Sequence, residues 1–416
     1  MLCAPIRTDS LKAVKLANAK ADLIELRLDL FTPKNLRVLR SACQKPVIFK
    51  LSRFDPSILS FDPDMIDLPF GVEIDLPLPR ICSYHDQERT PDLEHLYKKI
   101  KAYKADYYKI VTYARSTSDS LRMLELMKKT GVIGLCMGEM GKITRILAPI
   151  FGAPWNYAPL SLSQVTADGQ LLLDELLSTY HYHTLSKNTG VYGLIGDPIS
   201  KSVGDRIHNF AFHQLGLNAV YIKMRVKKHE CSDVLLLCEK IGFKGLSVTM
   251  PLKELVRKNQ AINTVVFSKK KPRYFNSDGL GALRVLEKTI PLKGKRMVIL
   301  GAGGTAIAIA DEAKKRGIDV WIANRNLARA RRITPNVLTL ETFASKGYDI
   351  LINCTPVCPV STKQLIKQRI VMDTMISPKM TRLLQAAQKK DCLLIYGLDM
   401  FIQQAVDQYC FWFEVD

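Results

Sequence analysis

Short apolar runs and longer amphipathic stretches alternate along the first half of the chain. Runs of β-type composition occur at Leu2–Ile6, Leu23–Leu28, Val47–Leu51, Val72–Leu76, Ile81–Tyr84, Tyr107–Thr112, Val132–Met137 and Trp155–Leu160. Helical spacing of apolar positions fills most gaps, at Leu11–Ala21, Asn35–Cys43, Leu93–Tyr103, Ser118–Thr130 and Leu171–Tyr180. Eight strand-like runs alternating with helices predict an α/β fold, a (β/α)8 barrel over residues 1–186. The barrel is expected to be shortened. Only Pro77–Arg80 separates its fourth and fifth runs, where a parallel crossover ordinarily needs about a dozen residues.

After the polar stretch Leu185–Gly190 the alternation resumes. A buried strand at V-Y-G-L-I-G runs into a turn with paired serines, and helical spacing covers Val203–Leu215. Further strands are expected at Ala219–Met224 and Gly245–Thr249, in a mostly parallel sheet. The clearest pattern is a strand at Lys295–Leu300, a turn Gly301-Ala302-Gly303-Gly304-Thr305-Ala306 and a helix Ile307–Arg316. A glycine-rich turn in that setting lets a helix N-terminus face a pyrophosphate. The second half therefore reads as a two-lobed α/β module. One lobe takes residues 190–280 with 395–416, and a Rossmann lobe takes 281–394.

Composition is that of an ordinary globular chain, 47% hydrophobic and 24% charged, without a run long enough to span a membrane. The first residues have neither a basic lead nor a long apolar core, so no signal peptide is expected. Ten cysteines form no C-x-x-C pair; reduced thiols in a cytoplasmic protein are expected, with no metal. Net charge is +20, concentrated in the second half. A basic nucleic-acid-binding protein would explain such charge. The basic residues are dispersed and lack interleaved aromatics, so anionic small molecules are the expected partners, with neither nucleic acid nor membrane.

Candidate chemistry in the first half lies near strand ends. Lys109 sits among apolar and aromatic residues in Y-Y-K-I-V-T-Y, where burial is expected to lower its pKa and free a neutral amine. Such an amine attacks ketones, giving a Schiff base that drives elimination beside the former carbonyl. His85 in S-Y-H-D is placed to move the proton, and Arg27 and Arg145 to clamp a carboxylate. The runs I-E-L-R-L-D, S-Y-H-D, A-D-Y-Y-K-I, M-G-E-M-G-K-I-T-R and D-G-Q resemble type I 3-dehydroquinate dehydratase along nearly all of residues 1–180. The resemblance implies Lys109 as the Schiff-base lysine and His85 as general acid/base. It implies Glu25, Arg27, Arg145 and Gln170 as substrate contacts. The family's arginine followed by E-G-G is absent after the third run; Arg53, slipped by one place, is expected to serve as that substrate contact, and no glutamate follows to orient His85.

In the second half a lysine and a carboxylate, Lys253 and Asp278, bracket V-T-M-P-L-K, A-I-N-T and N-S-D-G-L-G, just ahead of the glycine turn. The pair is suited to the proton that accompanies hydride transfer at a carbonyl, and the turn to a nicotinamide cofactor. About 20 residues past the turn, where NAD sites place an acidic residue, stand Asn324, Arg325 and Arg329. Guanidiniums there suit a 2′-phosphate, hence NADP. These motifs, with S-K-S, I-N-C-T-P and G-L-D-M-F-I-Q-Q-A, resemble shikimate dehydrogenase throughout residues 190–416. The resemblance implies Lys253 and Asp278 as the catalytic pair and Ser200, Ser202, Thr249, Asn263 and Gln404 as shikimate contacts. It assigns Gly301 to Ala306, Asn324, Arg325, Arg329 and Gly397 to NADP. Together the two resemblances predict a fused enzyme for consecutive steps of the shikimate pathway. The competing enzyme reading keeps the dehydrogenase and makes the barrel degenerate.

Overall fold

The computed structural model describes residues 1–416 except 54, 166, 259, 269 and 416. It divides into two compact units, Met1–Ile195 with Ser202–Phe243, and Gly196–Lys201 with Lys244–Asp416.

The first unit begins with β1 (Leu2–Ile6), β2 (Leu23–Arg27), β3 (Val47–Lys50), β4 (Met65–Pro69), β5 (Arg80–His85), β6 (Tyr107–Tyr113), β7 (Ile133–Met137) and β8 (Asn156–Tyr157). They form one parallel sheet in the order β7-β6-β5-β4-β3-β2-β1-β8, a nearly closed barrel. Around it run α1 (Leu11–Lys20), α2 (Pro33–Ala42), α3 (Leu93–Lys101), α4 (Thr117–Thr130), α5 (Lys142–Leu147) and α6 (Leu173–Tyr180). Local chemistry fixes their ends. Ser116 and Asp119 close a capping box at the start of α4, and Gly131 ends that helix in the left-handed region at φ 70°.

Strand side chains alternate between faces, so every second residue enters the barrel. The deepest layer is apolar, with Cys3, Leu23, Ile48, Ile81 and Ile133 packed against Trp155 and Tyr157. One step along the same faces come Glu25, Lys50, Asp67, Ser83 and Lys109. All of these are buried except Lys50, which is partly so. The ladder makes them neighbours, setting Lys50 opposite Asp67 and Ser83 opposite Lys109.

Two expected strands are corrected. The fourth is Met65–Pro69 and not Val72–Leu76. Val72 and Leu76 instead belong to the loop after β4 and join Leu51, Ile58, Ile66 and Leu68 in a cluster of their own. The β4–β5 link therefore runs from Phe70 to Pro79, longer than expected though without a helix. The parallel ladder from Ile66↔Arg80 to Pro69↔Ser83 forms nonetheless. The eighth strand keeps only Asn156–Tyr157 of the expected Trp155–Leu160.

This unit also holds β9 (Gly190–Gly196), α7 (Gly204–Gln214), β10 (Ala219–Arg225) and α8 (Cys231–Ile241). Here α8 packs along α4. Lys240 pairs with Glu125 at 2.9 Å, Arg225 with Glu139 at 3.0 Å, and Lys128 Nζ donates to the Ile241 carbonyl at 2.9 Å. These contacts carry the first unit past the barrel proper.

The second unit contains β11 (Gly245–Val248), β12 (Thr264–Val266), β13 (Arg273–Phe275) and α9 (Asp278–Glu287). Two strands not expected from the sequence, β12 and β13, add antiparallel to β11 and to each other. Then come β14 (Arg296–Leu300), α10 (Gly304–Lys315), β15 (Asp319–Ala323), α11 (Leu327–Arg331), β16 (Val337–Leu338) and β17 (Ile350–Asn353). The chain continues through β18 (Ile370–Asp373), α12 (Arg382–Gln388), β19 (Leu393–Ile395) and α13 (Gly397–Phe413). These six strands are parallel in the order β16-β15-β14-β17-β18-β19. Numbered from β14, that is the 3-2-1-4-5-6 order of dinucleotide-binding sheets. One apolar cluster covers each face, around Met297, Ile299 and Ile352 and around Val298, Leu300 and Leu351. Among the described residues no helix is long and apolar enough to cross a membrane.

Replacing Ser116 with Ala removes half of the α4 capping box and should weaken that helix by about 1 kcal/mol. Hydrogen exchange of the first-turn amides should accelerate about fivefold; unchanged protection would contradict the cap's role.

Candidate active sites

Lys109 projects from β6 into a cavity at the barrel mouth lined also by Glu25, Arg27, Lys50, His85, Arg145, Tyr157 and Gln170. Its ammonium donates to the Asp67 carboxylate and lies 3.6 Å from Glu25. The same Asp67 accepts from Lys50 Nζ at 2.8 Å, and Lys50 also donates to Ser83 Oγ at 2.6 Å. One fully buried carboxylate is thus shared by two lysines.

Burial by itself would push the Lys109 pKa down, as expected from the sequence. The Asp67 and Glu25 charges and the Asp67 hydrogen bond outweigh it, and Lys109 is held above the ordinary lysine value. The expected direction is therefore reversed: resting Lys109 is an ammonium. Lys50 goes the other way, with burial and the nearby Lys109 charge outweighing Asp67. Burial would raise Asp67, yet the two lysines hold it below the usual carboxylate value. Glu25 is raised, chiefly by burial, and its Oε2 has no hydrogen-bond partner among the described residues.

His85 ends β5 with an exposed edge at the cavity mouth. The surrounding protein first, and then the Lys109 and Lys50 charges, hold its imidazole below the ordinary histidine range. The neutral form of the ring, able to accept a proton, is therefore favoured. Arg145 is buried on α5; its Nη1 reaches the Tyr157 carbonyl at 3.4 Å, and its Nε has no partner among the described residues.

Other sequence-predicted residues divide. Arg27 lines the cavity, within β2 and not beyond it, and forks onto Asp29 at 2.8 and 3.2 Å. Gln170 lines the cavity and accepts from the Ala167 amide at 3.2 Å. Arg53 is exposed after β3 and is not among the lining residues, so the slipped arginine does not reach the site. The basic residue from that strand is Lys50. Neither Lys50 nor Asp67 was found from sequence; the available signal was a charge inside each of the runs V-I-F-K and M-I-D-L.

In the second unit Lys253 Nζ donates to Asp278 Oδ2 and, at 3.0 Å, to Thr305 Oγ1. Thr305 in turn donates to the same Asp278 oxygen at 3.0 Å. The other Asp278 oxygen accepts from Asn263 Nδ2 at 2.8 Å. Asn263 also reaches Ser277 Oγ at 2.9 Å and Gln404 Oε1 at 3.3 Å. Four predicted residues thus converge with Thr305 of the glycine turn, and Ser277 is an unforeseen member. Thr249 is partly buried just past β11, and Ser200 is exposed. Ser202 belongs to the first unit, where its hydroxyl accepts from the Gly204 amide at 3.2 Å.

The glycine turn fits a dinucleotide. Gly301 has φ +104°, a left-handed conformation that favours glycine. A Cβ on Gly304 would stand 2.9 Å from Lys253 Cβ, whereas one on Gly303 would meet nothing within 4 Å. Open backbone therefore precedes the N-terminus of α10, beside Ala302 and Ala306. Asn324 hydrogen-bonds the Asn326 carbonyl at 2.9 Å and Arg325 is exposed, whereas Arg329 pairs with Glu254 at 2.5 Å. At Gly397 a Cβ would stand 2.3 Å from the Met375 carbonyl, which explains glycine there by packing.

Comparison with known proteins matches residues 77–187 to type I 3-dehydroquinase and residues 194–263 to the shikimate dehydrogenase substrate binding domain. The chain is 34% identical to the shikimate biosynthesis protein AroDE of Chlamydia pneumoniae, over 99% of this chain and 95% of that one. It belongs to the AroDE family. As such it is a bifunctional enzyme of the shikimate pathway, a 3-dehydroquinate dehydratase and an NADP-dependent shikimate dehydrogenase. A chloroplastic bifunctional 3-dehydroquinate dehydratase/shikimate dehydrogenase of Arabidopsis thaliana is 29% identical, over 98% of this chain and 81% of that one. A shikimate dehydrogenase solved with NADP+ matches 56% of this chain and 92% of its own at 31% identity, with a TM-score of 0.53.

In this AroDE-family enzyme Thr305 ties the nucleotide turn to the Lys253–Asp278 pair. Thr305→Val keeps the shape and removes the hydroxyl. Shikimate oxidation should slow by about tenfold, the worth of one charge-assisted hydrogen bond, while NADP affinity changes little. An unchanged turnover number would remove Thr305 from the site.

Proposed function

We propose that the barrel cavity dehydrates 3-dehydroquinate with Lys109 as nucleophile and His85 as proton carrier. The observation that carries this reading is the cavity itself. It gathers an amine, a neutral imidazole and a buried guanidinium whose Nε is unpaired. Arg145 suits the substrate carboxylate, and Glu25, Arg27 and Gln170 its remaining polar groups. Lys109 first gives up a proton and adds to the ketone carbon; the ketone oxygen leaves as water and an imine forms. The imine withdraws electrons from the neighbouring C–H bond as His85 takes the proton, and the adjacent hydroxyl leaves as a second water. Hydrolysis consumes one water, frees the enone and restores Lys109.

In the second unit the same reading assigns Lys253 to move the proton at the carbonyl oxygen of 3-dehydroshikimate, with Asp278 orienting it. Asn263, Gln404, Thr249 and Ser200 are assigned to the substrate hydroxyls and carboxylate. The open turn from Gly301 to Ala306 and the exposed Arg325 hold NADP, which supplies the hydride when bound. Arg329 joins Arg325 once released from Glu254. Functionally the chain then divides into a barrel at 1–186, a shikimate lobe at 190–280 with 395–416, and an NADP lobe at 281–394. Ten free cysteines support a cytoplasmic location. Dispersed basic charge supports small anionic ligands over nucleic acid.

Borohydride added during turnover of 3-dehydroquinate should leave a reduced adduct on Lys109, found by peptide mass spectrometry. Turnover with Lys109 unmodified would end the Schiff-base reading. For the other half, Lys253→Ala should lower kcat for shikimate oxidation by at least about a hundredfold with NADP binding retained. A raised KM with kcat preserved would make Lys253 a ground-state contact only.

A further inference from the structure

Lys50 was not anticipated and has no part in the chemistry above. Yet its ammonium lies at the cavity wall, shares Asp67 with Lys109 and donates to Ser83. Its side chain is 17% exposed and that of Asp67 not at all. Such a buried carboxylate is stable only while its charge is met. When Lys109 loses its proton, its share of that compensation disappears. Lys50 remains in contact with the other carboxylate oxygen.

We infer that Lys50 is a positioning residue for dehydration: it keeps Asp67 neutralised after Lys109 deprotonates, making the neutral Lys109 amine accessible near physiological pH. The inference rests on Lys109 being the nucleophile. The groups facing the two lysines are Cys3 from β1, Glu25 and Arg27 from β2, Asp67, His85 and Tyr157 from β8. Among these Asp67 alone is hydrogen-bonded to both ammonium groups. Lys50 bears on Lys109 in two ways. It repels the Lys109 positive charge, and it takes up part of the Asp67 negative charge. Both favour loss of the Lys109 proton. The same cation disfavours protonation of His85.

The signs follow directly. Without Lys50 the Lys109 pKa rises, the neutral fraction below it falls tenfold per unit, and activity returns at higher pH. Removing the Asp67 charge does the reverse.

The test is the pH profile of kcat/KM for 3-dehydroquinate in the full-length protein, with shikimate oxidation by each variant as a check on the preparation. Lys50→Met should move the profile alkaline by about one unit and lower the rate near pH 7 about tenfold. Lys50→Arg, which keeps the charge, should restore the wild-type position. Asp67→Asn should move the profile to lower pH, giving a second, oppositely signed measurement if Lys50→Met does not fold. A slower Lys50→Met enzyme with an unshifted profile would make Lys50 structural and overturn the inference. Borohydride trapping separates the two readings. With the adduct on Lys109 and the profiles unshifted, only the role of Lys50 fails; an adduct on Lys50 overturns both.

Discussion

Asp67 is a carboxylate with no surface open to water, and much of the barrel site follows from the need to meet its charge. Its placement is a matter of strand period. Residues two apart on neighbouring strands enter the same layer, so β2, β3, β4, β5 and β6 deliver Glu25, Lys50, Asp67, Ser83 and Lys109 to one level. An apolar layer beneath them excludes water and strengthens every charge–charge term above it. In that setting lysine protonation is decided by partners and not by burial alone. This is why Lys109 and Lys50 shift in opposite directions although both leave water. For His85 the surrounding protein comes first, and the two neighbouring cations add to it in favouring the neutral ring.

The second unit meets a related demand with hydrogen bonds. Asp278 is buried at the start of α9, where it accepts from Lys253, Asn263 and Thr305. The helix N-terminus favours its negative charge as well. Because Gly304 carries no Cβ, the turn comes against the Lys253 stem. Lys253, Asp278 and the glycine turn are thus held by one set of short contacts within a single compact unit.

Much of this was legible in the chain, and what was missed has physical causes. The glycine turn, the paired Lys253 and Asp278, and the inward Lys109 are each declared by residues close together in sequence. The nucleotide-binding character of the second sheet followed from that turn; its strand order came from the structure. Val72–Leu76 misled because alternation marks a one-sided apolar surface, and a loop lying on β4 needs that as much as a strand does. The antiparallel turnback through β11, β12 and β13 gave no signal in short runs of three or four residues. Lys50 and Asp67 went unnoticed because a lone charge at a strand position acquires meaning only from its cross-strand neighbour. The Lys109 shift was read with the wrong sign for that reason too: the deciding carboxylate is 42 positions away.

The link from Phe70 to Pro79 joins β4 to β5 beside Asp67 without a helix. The outer flank of β4 is sheathed by Ile58 and Leu59 of the six-residue 3-10 helix Pro56–Phe61 and by Val72, Leu76 and Leu78 of that loop. A loop and a short 3-10 helix carry no α-helical ladder, and such elements lie toward the low-stability end of a fold's local opening equilibria. The strand bearing the fully buried Asp67 is thus covered on this flank by loop and 3-10 side chains. Opening of that cover would admit water beside Asp67 and weaken the charge–charge terms at both lysines without touching a titratable group.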